Sequence, residues 1–248
     1  MKKFVFLFAL APLLWSCDPD DPKPVDPVVE TVKVTVNPIY GTQPFYMDSV
    51  YTTAEGYKVK FTELVCYFSL LKNGTNDLIQ AALFDYRETG NVLVNQTGDH
   101  TKFANLSGKI GVDTTLNHLD PSAFPNNSPL NISNAGIMHW GWNPGYIFVN
   151  LEGKVDTIVD ATNNLDLSFS FHIGTDTYLQ AFDFNNVTWQ DKGNHVWELP
   201  LKLDLAAFLT NPASPINLKN EHLTHTAAGQ ETLTQKVIQN FKNALTSN

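Results

Sequence analysis

Apolar residues recur at every second position through much of this chain and at helical spacing only once. In Leu165–Ile173 the odd positions Leu165, Leu167, Phe169, Phe171 and Ile173 are apolar, and Asp166, Ser168, Ser170 and His172 alternate with them. A period of two predicts a strand with one buried face and puts His172 on the other, where a ligand can reach it. Further segments rich in β-branched and aromatic residues are Thr31–Val36, Tyr57–Leu71, Ile79–Tyr86, Gly145–Leu151, Leu179–Trp189 and Val196–Leu205. Gly, Asn, Asp and Pro separate them, as strands need. The helical stripe is at the end: Leu233, Val237, Phe241 and Leu245 recur every four residues, Ile238 widens the stripe, and Thr226 is the expected cap. These elements predict an all-β domain, an antiparallel, Ig-like β-sandwich closed by one C-terminal amphipathic helix.

The N-terminus follows a different pattern. Lys2 and Lys3 precede an apolar run, Phe4 to Trp15, too short to cross a bilayer as a helix, so residues 1–16 read as a signal peptide. Leu14-Trp15-Ser16-Cys17 resembles a bacterial lipobox, which makes Cys17 the lipidated first residue of the mature chain and joins the protein to a membrane through its acyl groups. Asp18 to Pro27 alternates Asp and Pro with no hydrophobic period, so residues 17–31 are expected to form an acidic, Pro-rich tether. Residues 32–248 then make a single domain. The expected address is an outer-membrane lipoprotein facing the periplasm or the cell surface, present as a monomer.

Charge narrows the partners. The formal charge is −9, from 16 basic and 25 acidic residues; without Lys2 and Lys3 it is 14 minus 25, or −11. The remaining basic residues are isolated, which argues against nucleic acid. Cys66 is the one thiol left once Cys17 carries lipid, so no intrachain disulfide forms, and its strand-like surroundings make it a buried, inert side chain.

Candidate chemistry rests on seven histidines, because there is no Cys-x-x-Cys, His-Glu-x-x-His, Gly-x-Ser-x-Gly or phosphate-cradling glycine loop. No enzyme signature is present. His172 stands out by strand parity. His222 and His225 lie three apart before the helix, and on spacing alone they are polar residues at a helix entry. The densest feature is Met138-His139-Trp140-Gly141-Trp142-Asn143-Pro144-Gly145-Tyr146. If extended, Met138, Trp140 and Trp142 share a face, fit for a core, a sugar-stacking platform or a soft-metal wall. The turn at Asn143-Pro144-Gly145 has Pro and Gly where a type II turn wants them.

These motifs resemble the copper-binding MbnP-like family, the methanobactin-associated periplasmic proteins and their lipoprotein relatives. The resemblance is carried by Leu119-Asp120-Pro121, by Gly136 to Phe148 with its Trp140-Gly141-Trp142-Asn143-Pro144-Gly145-Tyr146 stretch, by Leu151-Glu152-Gly153, by Phe171-His172-Ile173-Gly174, and by His225-Thr226 ahead of a helix containing Asn240-Phe241. What it implies is a β-sandwich that binds copper outside the cytoplasm through histidines, in some members beside a tryptophan oxidised to kynurenine by a dihaem peroxidase-like partner. By position His172 and His225 match the family's His motifs, with His118 and His139 as further candidate ligands and Met138, Trp140 and Trp142 as the wall or the oxidised residue. His139 departs from the family pattern, where an aromatic residue is usual.

Copper suits this donor set as Cu(I) or Cu(II): imidazoles bind both states and a thioether favours Cu(I). Zinc is the weaker competitor, since structural zinc takes four ligands and no cysteine is to hand. The alternative reading is a carbohydrate-binding surface lipoprotein with Trp140, Trp142 and Tyr146 as an exposed stacking platform.

Overall fold

The computed structural model describes residues 29–141, 144–160 and 162–247. The expected signal peptide, lipidation site Cys17 and most of the tether, together with Trp142 and Asn143, lie outside the described residues. Fifteen strands follow in order: β1 Thr31–Tyr40, β2 Gln43–Pro44, β3 Val50–Thr52, β4 Lys58–Asn73, β5 Asn76–Asp85, β6 Val92–Thr97, β7 Leu106–Ile110, β8 His139–Gly141, β9 Gly145–Asp156, β10 Leu167–Gly174, β11 Gln180–Phe184, β12 Gln190–Asp191, β13 Val196–Asp204, β14 Leu223–Thr224 and β15 Leu245–Ser247. The helices are α1 Thr114–Asn117, α2 Ile132–Ala135, α3 Leu205–Thr210 and α4 Glu231–Ala244.

The strands form two mixed sheets. One is built on β12-β13-β1-β2, with β6 on β1 and β15 on β13; the other runs β11-β7-β4-β9-β10-β14, with β3 and β5 on β4 and β8 on β9. Their inner faces meet in one core. Val32, Val34 and Val36 of β1 and Leu199, Leu201 and Leu203 of β13 face Phe61, Val149, Leu151, Phe169 and Phe171 of the larger sheet, all at most 1% exposed. The predicted helical stripe lands on this core: Val237, Ile238 and Phe241 are fully buried.

The larger sheet is covered on its second face as well, but only along part of its length. Tyr67, Val112, Leu116, Leu130, Met138, Tyr146 and Phe148 make a separate cluster there. Consequently β9 is buried on both faces from Gly145 to Leu151 and then alternates, with Glu152 and Lys154 outward. The boundary where that cover stops is where the candidate site lies.

Five expectations need correction. The sheets are not purely antiparallel: β1 pairs with β13 in parallel over nine residues, and β14 pairs with β10 in parallel. The fold is therefore β-rich with mixed sheets, and the described residues hold four α-helices where one was expected. The Leu179–Trp189 segment holds strand geometry only over β11, because Asp176–Tyr178 is a 3₁₀ turn and Asn186 takes a left-handed conformation. Leu245 is not helical but opens β15, which pairs with β13. Thr226 does not cap α4; Gln230 holds that position without a side-chain cap, and Thr226 is bonded elsewhere.

Phe241 reaches the core from α4 and packs edge-on against Phe208 of α3. Phe241→Ala is expected to lower the unfolding free energy by about 3–5 kcal/mol. Urea denaturation followed by near-UV circular dichroism checks it.

Candidate metal centre

β10 carries out what its alternation predicts: Phe169, Phe171 and Ile173 point into the core, and Ser170 and His172 point out. Two neighbouring strands complete the outward surface. On one side β9 sets Glu152 opposite Ser170 and Asn150 opposite His172. On the other, the two-residue strand β14 pairs Leu223 with Ser170 and Thr224 with Phe171, so that His225 follows directly alongside His172.

β14 has no length to hold itself, and side chains fix it instead. Buried Thr224 shares a 2.6 Å hydroxyl–hydroxyl hydrogen bond with Thr234 of α4. The His225 N–H donates to Gln230 Oε1 at 2.8 Å. Thr226, at φ +57°, donates its hydroxyl to the His172 carbonyl at 2.9 Å and accepts from the Gly174 N–H at 3.1 Å.

The two imidazoles are thereby stacked, ring centres 4.5 Å apart and planes 10° from parallel. Their Nε2 atoms converge on one oxygen, Ser170 Oγ, at 3.1 Å for His172 and 3.2 Å for His225. Glu152 Oε1 lies 2.6 Å from His172 Nε2. Asn150 is 1% exposed, and its Oδ1 has no hydrogen-bond partner. A buried acceptor left without a donor is costly, and here it sits on the strand position facing His172. Two imidazole nitrogens converging on one point, with a carboxylate on one of them, fit a cation of borderline softness.

Electrostatics agree. Burial pushes the His225 pKa below its ordinary value, and the adjacent His172 lowers it further while Glu152 opposes both. A neutral imidazole is the form that binds metal. Side chains of His172 and Glu152 are 19% and 35% exposed, so the pair is reachable from solvent.

The other predicted ligands go elsewhere. His118 Nε2 is 3.0 Å from Asp176 Oδ2, a mostly solvent-facing ion pair. His139 packs edge-on against Tyr146, ring centres 4.7 Å apart, and burial lowers its pKa. Among the described residues, no hydrogen bond or ring contact joins either to the His172–His225 pair.

The aromatic segment is also rearranged. Met138 ends a 3₁₀ turn and is 2% exposed in the second core cluster, so it forms no extended wall with Trp140. Trp140 lies against Gly174, two residues beyond His172: a Cβ there would come within 2.5 Å of the indole. Tyr146 is fully buried, its hydroxyl donating to the Leu130 carbonyl and its pKa pushed up to about 12 by burial. It cannot serve in an exposed sugar platform. Gly145, at φ +74°, leaves room for Asn117, whose Oδ1 accepts the Tyr146 N–H at 2.9 Å. Cys66 is wholly buried and its thiol pKa is raised by that burial, as an inert core residue requires.

The sequence does not single out Glu152, Ser170 or Asn150 as parts of this site: Glu152 is there only the middle of a Leu-Glu-Gly motif, Ser170 one of several polar positions on its strand, and Asn150 lies within an apolar run.

A family model described as MbnP matches residues 29–230. The chain belongs to the MbnP family. Among solved structures, MbnP from Methylosinus trichosporium is similar in fold with a TM-score of 0.50 at 13% identity, covering 89% of this chain and 98% of that one. No curated protein matches this chain. The match takes in every residue of the His172–His225 patch of this MbnP-family chain.

Charge coupling in the patch is measurable by NMR titration of the imidazoles. His225 is expected to titrate below an ordinary histidine; His172→Ala should raise its pKa, by removing a like charge, and Glu152→Gln should lower it.

Proposed function

We propose that this chain is an extracytoplasmic copper-binding lipoprotein, anchored through Cys17 in the outer membrane and facing the periplasm or cell surface. It takes up, stores or hands on copper held by His172 and His225. The observation that carries the reading is the convergence of both Nε2 atoms on Ser170 Oγ, with the Glu152 carboxylate beside them. Membership of the MbnP family supports it.

His172 and His225 would hold the metal, and Glu152, whose Oε1 is 2.6 Å from His172 Nε2, would be available as an oxygen donor beside them. Such a nitrogen–oxygen set accommodates Cu(II) as well as Cu(I), and at equal donors copper outcompetes zinc. His118 and His139, held by Asp176 and Tyr146, are left out of this metal site.

Trp140 at Gly174 is the described indole closest in the chain pairing to the histidines, and with Trp142 it is the candidate for conversion to kynurenine by a dihaem peroxidase-like partner. Mass spectrometry of the chain purified from its host tests this part separately: an unmodified peptide covering Met138 to Tyr146 removes the partner from the proposal and leaves the copper site.

His172→Ala with His225→Ala is expected to abolish tight copper binding while the fold persists, because both side chains are on the outer surface; a folded double variant with full copper affinity overturns the reading. Glu152→Gln should weaken binding by about 10- to 100-fold. Protons compete with copper for Nε2, so affinity should fall as pH drops through the imidazole range. The lowered pKa of His225 keeps its nitrogen available to more acid pH than a free imidazole. Competition against a copper chelator across pH gives all three results.

A further inference from the structure

A second set of metal donors lies on the other sheet, at the entry to the domain. The antiparallel pairing of β1 with β6 begins at Thr31 and Thr97, and the Gly98 N–H donates to the Glu30 carbonyl at 3.0 Å. This brings Glu30 against the turn that follows β6, where Asp99 and His100 start a short 3₁₀ helix. One donor atom each from Glu30, Asp99 and His100 lies within 4.8 Å of the other two.

Each of the three is held in place. His100 Nδ1 is 2.8 Å from Glu30 Oε2. The imidazole lies flat on the Trp197 indole, ring centres 3.7 Å apart and planes 15° from parallel, with Trp189 edge-on at 6.2 Å. Trp189 is itself fixed by its Nε1–H donating to the Phe103 carbonyl. Asp99 Oδ1 accepts from the N–H and hydroxyl of Thr101, which orients the carboxylate and leaves Oδ2 without a bond within the turn. The side chains of His100 and Glu30 are only 15% and 28% exposed.

A surface ion pair needs neither a second carboxylate nor an indole clamp. An aromatic face also favours a cation close by.

We propose that Glu30, Asp99 and His100 form a second metal site, separate from the His172–His225 pair, that takes a first-row divalent cation such as Zn²⁺ or Cu²⁺. One imidazole nitrogen and two carboxylate oxygens match those ions; Ca²⁺ needs six or more oxygens, which three side chains do not supply without many waters. An ion here fastens the start of β1 to the turn after β6.

The test uses the full chain in detergent, titrated with Zn²⁺ and with Cu²⁺, bound metal being counted after desalting and tryptophan emission recorded. In the His172→Ala, His225→Ala background one equivalent is expected to remain, and Cu²⁺ should quench emission because Trp197 adjoins the site. Adding His100→Ala should remove both the equivalent and the quenching. Glu30→Gln with Asp99→Asn keeps size and shape, so it should do the same with an unchanged near-UV spectrum even if the loss of His100 disturbs Trp197. No metal retained by the His172→Ala, His225→Ala chain at micromolar concentration overturns the proposal, as does an equivalent that survives both further sets of substitutions. Neither result bears on copper at the His pair, which is read in the parent chain.

Discussion

The candidate site depends on a two-residue strand being held where it cannot hold itself. β14 makes only two ladder partners with β10, too few for independent stability. Its position is instead set from three sides: Thr224 into the buried hydroxyl pair with Thr234, the His225 N–H onto Gln230, and Thr226 onto the backbone around His172. The last of these matters most for geometry. Thr226 binds the carbonyl of His172 itself, so the residue after His225 is tied to the backbone of His172. Helix α4, which supplies Thr234 and is preceded by Gln230, thus serves the site as well as the core that its Phe241 closes.

This explains what could and could not be read along the chain. β10 was legible because strict alternation survives wherever one face is buried and the other is open, and His172 falls on the open side. β14 was not, because two residues carry no period; His222 and His225 looked like a helix entry, and Thr226 like a cap, since each is common there. Glu152 was hidden for another reason. The first half of β9 is covered on both faces, by the main core beneath and by the Tyr67–Tyr146 cluster above, so it reads as a continuous apolar run and its parity cannot be assigned from pattern alone. Only the far end of the strand, beyond Asn150, returns to alternation.

The same double cover accounts for the aromatic segment. Of the roles open to this segment, Met138 and Tyr146 take the core one: both are spent on roofing the larger sheet, and Gly145 is needed at φ +74° to let Tyr146 tuck beneath Asn117. Trp140 is left partly open against Gly174. A glycine at 174 is thus as necessary to the arrangement as either histidine, because any side chain there would displace the indole from the end of β10. The parallel β1–β13 pairing was likewise invisible, for sheet order between strands more than 150 residues apart leaves no local trace.

His172 beside Glu152 and His100 beside Glu30 are chemically alike, each an imidazole within 2.8 Å of a carboxylate, and their surroundings separate them. At the first, a second imidazole is stacked on the ring, so one nitrogen-rich patch is available to a soft or borderline ion. At the second, the ring is stacked on an indole and the remaining donors are oxygens. On the proposed assignments the nitrogen pair suits soft Cu(I) as well as Cu(II), and the carboxylate set suits only a divalent ion such as Zn²⁺ or Cu²⁺. His172 and Glu152 belong to the larger sheet, while Glu30 and His100 flank the β1–β6 pair of the smaller one, and among the described residues no strand pairing joins the two donor sets.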